Sequence, residues 1–424
     1  MDMRRKSILL VSPPNPFLEN PRALPRLGLL YLGTVLHQHG HQVMVRHLRS
    51  LSELEGLAEK PFDFVGISAT TREYPDAIQI LNYFKREGHP ATVALGGPHA
   101  TALPEEGLRN GFDVVVTGEA DEEIVELVNR PPDRPRIVHA GMVRGLDRLP
   151  FPKRDLIGDH KSWQPFLGLG QDPDLRTTSI LLSRGCPYHC TFCGPHFRYR
   201  RRSGDKVAAE LAALCKQGYR GFVIVDDLPF VTEQQVRSFC ERIRPLGIRF
   251  RCNFRTDLLT PKIAELLAGA GCCRLQFGIE SANQLILDRV NKGTSPGANG
   301  HTIEICQEHG LQVKVMFLWG LSNDGPETAQ QIVDWVAHYR PNSIQVSRFV
   351  PLPGSPAWQS GYHSRVTDYC ALAFFRNPKQ RMPIGVAHDR LSLEALEALY
   401  AKILSECSRF THIDRGLPPD AEEE

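Results

Sequence analysis

The chain has 424 residues, 42% of them hydrophobic, and sets 50 basic against 48 acidic side chains for a formal charge of +2. That length asks for two or three domains, since single cores stop growing at about 250 to 300 residues. The balanced charge offers nothing to a nucleic acid or a strongly acidic partner, so a small-molecule substrate is expected. No apolar run reaches the ~20 residues a membrane span needs. The apolar stretch 8–11 after the basic start is cut by Ser12-Pro13-Pro14, far below signal-peptide length. Eleven cysteines, several inside helical or strand patterns, read as reduced thiols and not as a disulfide framework. A soluble, cytoplasmic protein is the expectation.

From the amino terminus, β-rich runs at 7–11, 42–46, 64–68, 92–95 and 114–117 alternate with helical segments at 27–39, 75–86 and 122–129. The alternation predicts an α/β fold whose first domain, 1–130, is a doubly wound Rossmann-like parallel sheet. Ligand loops then lie at the carboxyl ends of its strands. Residues 131–175, rich in proline, arginine and glycine, read as a linker. A second series of strands, near 178–183, 222–225, 249–253, 274–278, 313–318 and 344–349, predicts a partial (βα)6 TIM barrel over 176–370. A short helical region, 371–424, follows, with an amphipathic helix at about 392–407 and an acidic end.

Directly after the first strand of the second series stands Arg184-Gly185-Cys186-Pro187-Tyr188-His189-Cys190-Thr191-Phe192-Cys193-Gly194. Soft thiolates select iron-sulfur clusters or zinc, and a 4Fe-4S cube ordinarily takes four cysteines, one per iron. Three thiolates leave one iron open to a ligand that is not protein, which is a reactive arrangement. A zinc knuckle would want a second pair at zinc spacing, and Cys272-Cys273 are adjacent.

This CxxxCxxC run, with Phe192 before its last cysteine, resembles the signature of the radical SAM superfamily. The resemblance implies that Cys186, Cys190 and Cys193 hold a 4Fe-4S cluster as the catalytic centre, with S-adenosylmethionine (SAM) chelated at the open iron. One electron then cleaves SAM to methionine and a 5'-deoxyadenosyl radical, which abstracts a substrate hydrogen. Later strand ends resemble the same family. Asp226 or Asp227 would accept the methionine ammonium group, although an aspartate there also suits a helix cap. Arg255 would pair with the methionine carboxylate. Gly278, Glu280 and Ser281 match the segment that meets ribose and methionine, and Phe317 falls where the family contacts adenine through backbone, in an apolar run that equally suits plain barrel core. Tyr188, His189, His196 and the basic run Arg198 to Arg202 lie near the cluster loop. The run reads either as a solvated loop or as a docking face for an acidic flavodoxin or ferredoxin.

Ahead of these motifs, Ser68-Ala69-Thr70-Thr71, Gly96-Gly97-Pro98-His99 and Thr117-Gly118-Glu119 resemble the cobalamin-binding domain fused to one large radical SAM class, over about residues 7–128. The resemblance implies that Ser68, Thr70, Gly96 and Gly97 leave room for the cobalamin nucleotide tail. The Asp-x-His-x-x-Gly motif of many cobalamin proteins is absent, and neither His47 nor His99 fits it. Together the two resemblances imply cobalamin-dependent C-methylation of a small metabolite in natural-product biosynthesis. Radical dehydration, elimination or rearrangement of a diol or aminosugar without cobalamin is the second reading. A non-catalytic cluster or corrinoid sensor is the third, and the density of SAM-site matches speaks against it.

Overall fold

The computed structural model describes residues 4–14, 25–158, 175–194, 197–361, 369 and 388–414, and separates into two compact units. Among the described residues no helix is long and apolar enough to cross a membrane.

The first unit runs from the amino terminus to Gln164. Its elements in order are β1 (Ser7–Ser12), α1 (Leu27–Gln38), β2 (Gln42–His47), β3 (Phe64–Ser68), α2 (Tyr74–Arg86), β4 (Thr92–Gly96), α3 (Pro98–Ala102), α4 (Pro104–Arg109), β5 (Val114–Gly118), α5 (Ile124–Asn129) and β6 (Arg136–Gly141). The strands pair in the order β2-β1-β3-β4-β5-β6, all parallel. Buried on both faces, such strands read as continuous apolar runs, and Ile8, Leu9, Leu10 and Val11 are each at most 1% exposed. Helix α2 covers the sheet with Ala77, Ile80, Leu81 and Phe84, spaced as one helical face. In this strand order the direction of winding reverses between β1 and β3, so the ligand crevice opens at Ser12 and Ser68.

Strand β6 lies inside the stretch expected as a linker, which is a correction to the sequence reading. It completes the sheet edge by pairing from Val114↔Arg136 to Gly118↔Gly141, with a register shift at Gly118. Prolines 131, 132 and 135 crowd its entrance and leave six residues of weak pattern, enough to disguise an edge strand.

The second unit holds β7 (Thr177–Ile180), β8 (Ser183–Arg184), β9 (Arg200–Arg201), α6 (Gly204–Lys216), β10 (Gly221–Ile224), α7 (Glu233–Ile243), β11 (Arg249–Phe254), α8 (Pro261–Gly269) and β12 (Cys272–Glu280). It continues with α9 (Gln284–Arg289), α10 (Pro296–Glu308), β13 (Gln312–Trp319), α11 (Pro326–Tyr339), β14 (Ser343–Arg348), α12 (Pro356–Gln359), α13 (Leu393–Cys407) and β15 (His412–Ile413). Seven strands form one parallel sheet in the order β15-β14-β13-β12-β11-β10-β7. Ser203, Thr232, Thr260, Ser295 and Ser392 each cap a helix by accepting an N–H of its first turn, worth about 1 kcal/mol apiece. The carboxyl-terminal helix α13 buries Leu396, Tyr400, Ile403 and Cys407 and feeds the short strand β15, which extends the sheet beyond the six strands expected.

Two buried polar ties fix the exit of β7, from which the cysteine loop departs. Asp226, 2% exposed at the end of β10, accepts both carboxylate contacts of the Leu182 N–H at 3.0 Å, the Ser183 N–H, and the Ser183 hydroxyl at 2.6 Å. Arg202, where the loop returns, pairs with Glu210 of α6 at 2.7 Å, and their side chains are 2% and 1% exposed. Its Nη1 also donates to the Leu181 carbonyl at 2.8 Å.

Burial raises the Asp226 carboxyl from 3.8 to about 7, against the pull of its three donors. Between those values the folded chain keeps a proton that the unfolded chain has released, so stability from this group is full below pH 3.8 and is lost as pH rises through about 7. Asp324, likewise raised by burial to about 7, acts in the same direction. Asp226→Asn should therefore make the fall of the urea midpoint between pH 4 and 7 shallower without abolishing it. An unchanged slope would contradict the assignment.

Candidate functional site

The cysteine loop is a closed excursion at the end of β7. Its two ends are zipped by the antiparallel pairs Ser183↔Arg201 and Arg184↔Arg200. Gly185, at φ +82°, turns so close to the Phe197 and Arg198 carbonyls that no side chain fits. Cys186 N–H donates to the Phe197 carbonyl at 3.2 Å, and a turn from Cys193 N–H to the Cys190 carbonyl, 3.1 Å, brings the last two thiols round.

The loop is also fastened to the segment after β12 and to α12. Thr191 N–H reaches the Val290 carbonyl at 3.0 Å, and Thr191 carbonyl accepts from Ala357 at 2.9 Å. Asn291 Nδ2 holds the His189 carbonyl at 3.0 Å. Phe192 packs onto a satellite core of Ile286, Val290, Leu321, Phe349 and Ala357. Beside it lies a cavity of about 470 Å³ bordered by Thr191, Val290, Leu321, Phe349 and Arg289.

Cys186 is half-buried, Cys190 buried and Cys193 exposed by area, and all three are free thiols. Their surroundings are electronegative. Burial, then Asp227, then the other two thiols and Glu280 push Cys193 up to about 12 although its surface is open to the recess. Burial and Asp227 likewise raise Cys186. The Cys186 and Cys193 sulfurs, which resist ionisation on their own beside carboxylates, fit a strongly cationic iron cluster that would ionise them outright. Among the described residues no three His, Cys, Asp or Glu side chains converge on a single-ion site. A cube with one iron per sulfur draws its ligands from further apart.

The strand ends place the other expected residues unevenly. Asp226 is consumed in holding Leu182 and Ser183, so it is removed from the set of SAM contacts. Asp227, exposed and near Cys186 and Cys193, is the member left to face a ligand; burial of its surroundings raises it. Arg255 directs Nε and Nη2 at Asp257 (2.9 and 3.1 Å), donates from Nη2 to the Lys292 carbonyl at 2.8 Å, and lies 3.5 Å from the Tyr188 ring centroid. A two-pronged grip on a methionine carboxylate would require it to release Asp257. Ser281 is buried, with its Oγ accepting from Asn283 N–H at 3.1 Å.

The Phe317 side chain belongs to the core, which leaves its backbone for the adenine contact that the resemblance implies. Phe317 is 0% exposed and meets Trp335 edge-on at 5.7 Å on the helix side of the sheet. The alternate residue Leu318 points the other way and joins the Phe192 cluster.

Lys292 and Asn291 went unnoticed in the sequence. Lys292 Nζ pairs with Glu280 Oε1 at 2.8 Å, each side chain 9% exposed. Gly278 makes room for that pair, since a Cβ there would strike the Glu280 carboxylate and come within 3.1 Å of Lys292 Nζ. Glu280 and Asn291 both stand at positive φ, +66° and +53°. The signal was the run Asn291-Lys292-Gly293, a turn sequence that only tertiary context connects to Glu280.

The basic run also changes meaning. Arg202 is buried on Glu210, and Arg201 lies 5.3 Å from the Phe230 ring centroid, half-buried. The face the run could offer an acidic donor shrinks to Arg198 and Arg200.

In the first unit three of the four expected residues, Ser68, Gly96 and Gly97, come together, and Thr70 follows in the same loop. Ala69 N–H donates to the Gly96 carbonyl at 3.2 Å, and Thr70 N–H is held by Glu73 at 2.9 Å. Gly97, at φ +93°, would bring a Cβ within 2.8 Å of Ser68 Oγ, whereas a Cβ on Gly96 meets nothing within 4 Å. The space above Gly96 is open, as the room for a corrinoid nucleotide tail that the resemblance implies would require. His99 is wholly buried, stacked on Tyr74 at 3.7 Å, and burial lowers it to about 4. His47 is 4% exposed and bonds Ser12 Oγ through Nδ1 at 2.8 Å. Neither is presented as a lower axial ligand.

Comparison with known proteins agrees with this geometry. Residues 180–336 match the radical SAM superfamily and residues 21–128 match the B12 binding domain. An uncharacterised methyltransferase of Pyrococcus horikoshii is 27% identical over 84% of this chain and 83% of its own. The anaerobic magnesium-protoporphyrin IX monomethyl ester cyclase of Rubrivivax gelatinosus is 27% identical over 70% of this chain, which spans 58% of that enzyme's length. In fold, the chain is similar to the radical S-adenosylmethionine methyltransferase TsrM of Kitasatospora setae, solved with cobalamin and a [4Fe-4S] cluster, with a TM-score of 0.71 at 16% identity over 99% of this chain and 93% of that one. The chain belongs to the radical SAM superfamily, as an enzyme that uses a 4Fe-4S cluster and SAM and carries a B12-binding domain ahead of its radical domain.

Proposed function

We propose that the chain methylates an unactivated carbon of a small metabolite in a cobalamin-dependent radical reaction. The observation that carries the reading is a three-thiolate loop, held rigidly at a strand end, in one chain with a corrinoid-type sheet whose crevice is open at Gly96. Bound together, the cluster and SAM supply a carbon-centred radical by one-electron cleavage, and cobalamin supplies a carrier for a methyl group.

The protein's part is to bind, orient and keep water out. Cys186, Cys190 and Cys193 would hold the cluster. Asp227 accepts the methionine ammonium group in a charge-assisted bond, while Asp226 holds the loop that presents the thiols. The Lys292–Glu280 pair stiffens the end of β12, and Gly278 makes room for that pair. Phe192 closes one side of the loop with apolar surface. Ser68, Thr70 and Gly97 shape the corrinoid crevice, and Gly96 leaves it open.

A second reading, hydrogen abstraction without methyl transfer, is favoured by the likeness to the cyclase and by the missing Asp-x-His-x-x-Gly motif. Anaerobically reconstituted protein given hydroxocobalamin, a reductant and methyl-labelled SAM separates the two. The proposal expects about one corrinoid per chain and label in the extracted corrinoid, with 5'-deoxyadenosine formation lost when all three cysteines become alanine. SAM cleavage with no corrinoid retained would sink the methylation reading and favour the second.

The crevice itself is tested by neighbouring glycines. Gly96→Val should fold normally and lose corrinoid, because its side chain enters open space. Gly97→Ala should instead lower stability by about 1–3 kcal/mol through strained backbone. Undiminished corrinoid in Gly96→Val would place the cofactor elsewhere.

A further inference from the structure

The face of the radical-domain sheet opposite its helices carries positive charge that the cluster site does not use. Side chains alternate along each strand. Phe250, Cys252, Leu275, Val313, Val315 and Ile344 belong to the helix-side core, so Arg251, Arg274, Lys314 and Ser343 point the other way. Strand register sets Arg251 beside Arg274, and Lys314 beside Gln276 and Ser343.

These cations are poorly matched. Lys314 Nζ pairs with Asp414 at 2.8 Å. Arg274 directs Nε and Nη2 at Gln312 Oε1, a neutral acceptor, at 3.2 and 2.9 Å. Arg251 Nε is buried with no hydrogen-bond partner, and so is Ser343 Oγ. Burial and the neighbouring Arg274 lower Arg251 to about 10, and burial lowers Arg274 and Lys314 as well. Among the described residues, Asp414 is the one carboxylate acting on all three. Three cations facing one carboxylate, with a buried guanidinium nitrogen unpaired, is the pattern of a site completed by a bound anion.

We propose that Arg251, Arg274 and Lys314 form an anion-binding floor that takes a carboxylate or phosphate of the substrate. Each lies four residues below a strand-end residue, Arg255, Gly278 and Leu318 respectively. At ~3.3 Å per residue the floor is about 13 Å below the level of the SAM contacts. The substrate is accordingly an anion whose charged group lies roughly that far, on this strand-rise estimate, from the carbon that reacts. Calling the anion a substrate rests on the proposed radical reaction; the binding itself does not.

Thermal unfolding of the full-length protein with inorganic phosphate, and separately with malonate, at ionic strength matched by chloride, tests the site without turnover. Wild type should gain several degrees in Tm, saturably, with the stronger ligand marking phosphoryl or carboxylate preference. Arg251→Met should lose the gain. If that variant does not fold, Arg274→Gln, which gives up the bonds to Gln312 and the attraction of Asp414, should lose most of it, while the surface control Arg86→Gln keeps it. No gain beyond chloride in wild type, or an equal gain in a folded Arg251 or Arg274 variant, overturns the proposal. Label transfer to the corrinoid is scored separately, so failure of the radical reading leaves the anion result readable.

Discussion

The carboxylate of Asp226, buried at the end of β10, holds the N–H groups of Leu182 and Ser183 where the chain leaves β7. Everything downstream inherits that placement: the two-residue ladder to Arg200 and Arg201, the tight turn at Gly185, and the spread of three sulfurs beyond it. A charged or half-protonated carboxyl in a buried position is costly unless its lone pairs are met. Here they are met by the backbone that must not move. The Arg202–Glu210 pair repeats the device on the returning strand, where losing either partner would strand a buried charge.

The second support comes from the segment after β12. Asn291 grips the cysteine loop, Lys292 neutralises Glu280, and the Lys292 carbonyl receives Arg255, whose guanidinium covers Tyr188 of the same loop. One short turn thus touches three of the elements that surround the thiols. A loop that must retain an oxygen-sensitive cluster and admit SAM benefits from supports that are rigid before either arrives. The same segment explains why a glycine stands at 278, since the ion pair occupies the space of its missing side chain.

Much of this architecture was legible in the sequence, because long apolar strands and capped helices announce themselves by period. The five strands expected in the first sheet and the six expected in the second fall within three residues of their expected bounds. What escaped was short or contextual. The edge strand β6 hid among prolines, and β15 is two residues long. The cysteine motif stands out by its spacing alone, within the segment 180–336 that matches the radical SAM superfamily. Asp226 and Asp227, by contrast, are adjacent and chemically alike, and only burial separates the structural carboxylate from the exposed one. Phe317 shows the same limit: a strand's period says that neighbours face opposite ways, but which face meets the helices is decided by packing. Asn291 and Lys292 gave only a turn signal, since their partners lie elsewhere in the chain.

The central claim is that three thiolates leave one iron free for SAM, and low-temperature EPR of the reduced cluster with and without SAM addresses it most directly. Addition of SAM should shift the g-values of the wild-type signal, because its amino and carboxylate groups become ligands of the cluster. A reconstituted four-iron cluster whose spectrum is indifferent to saturating SAM would contradict the account.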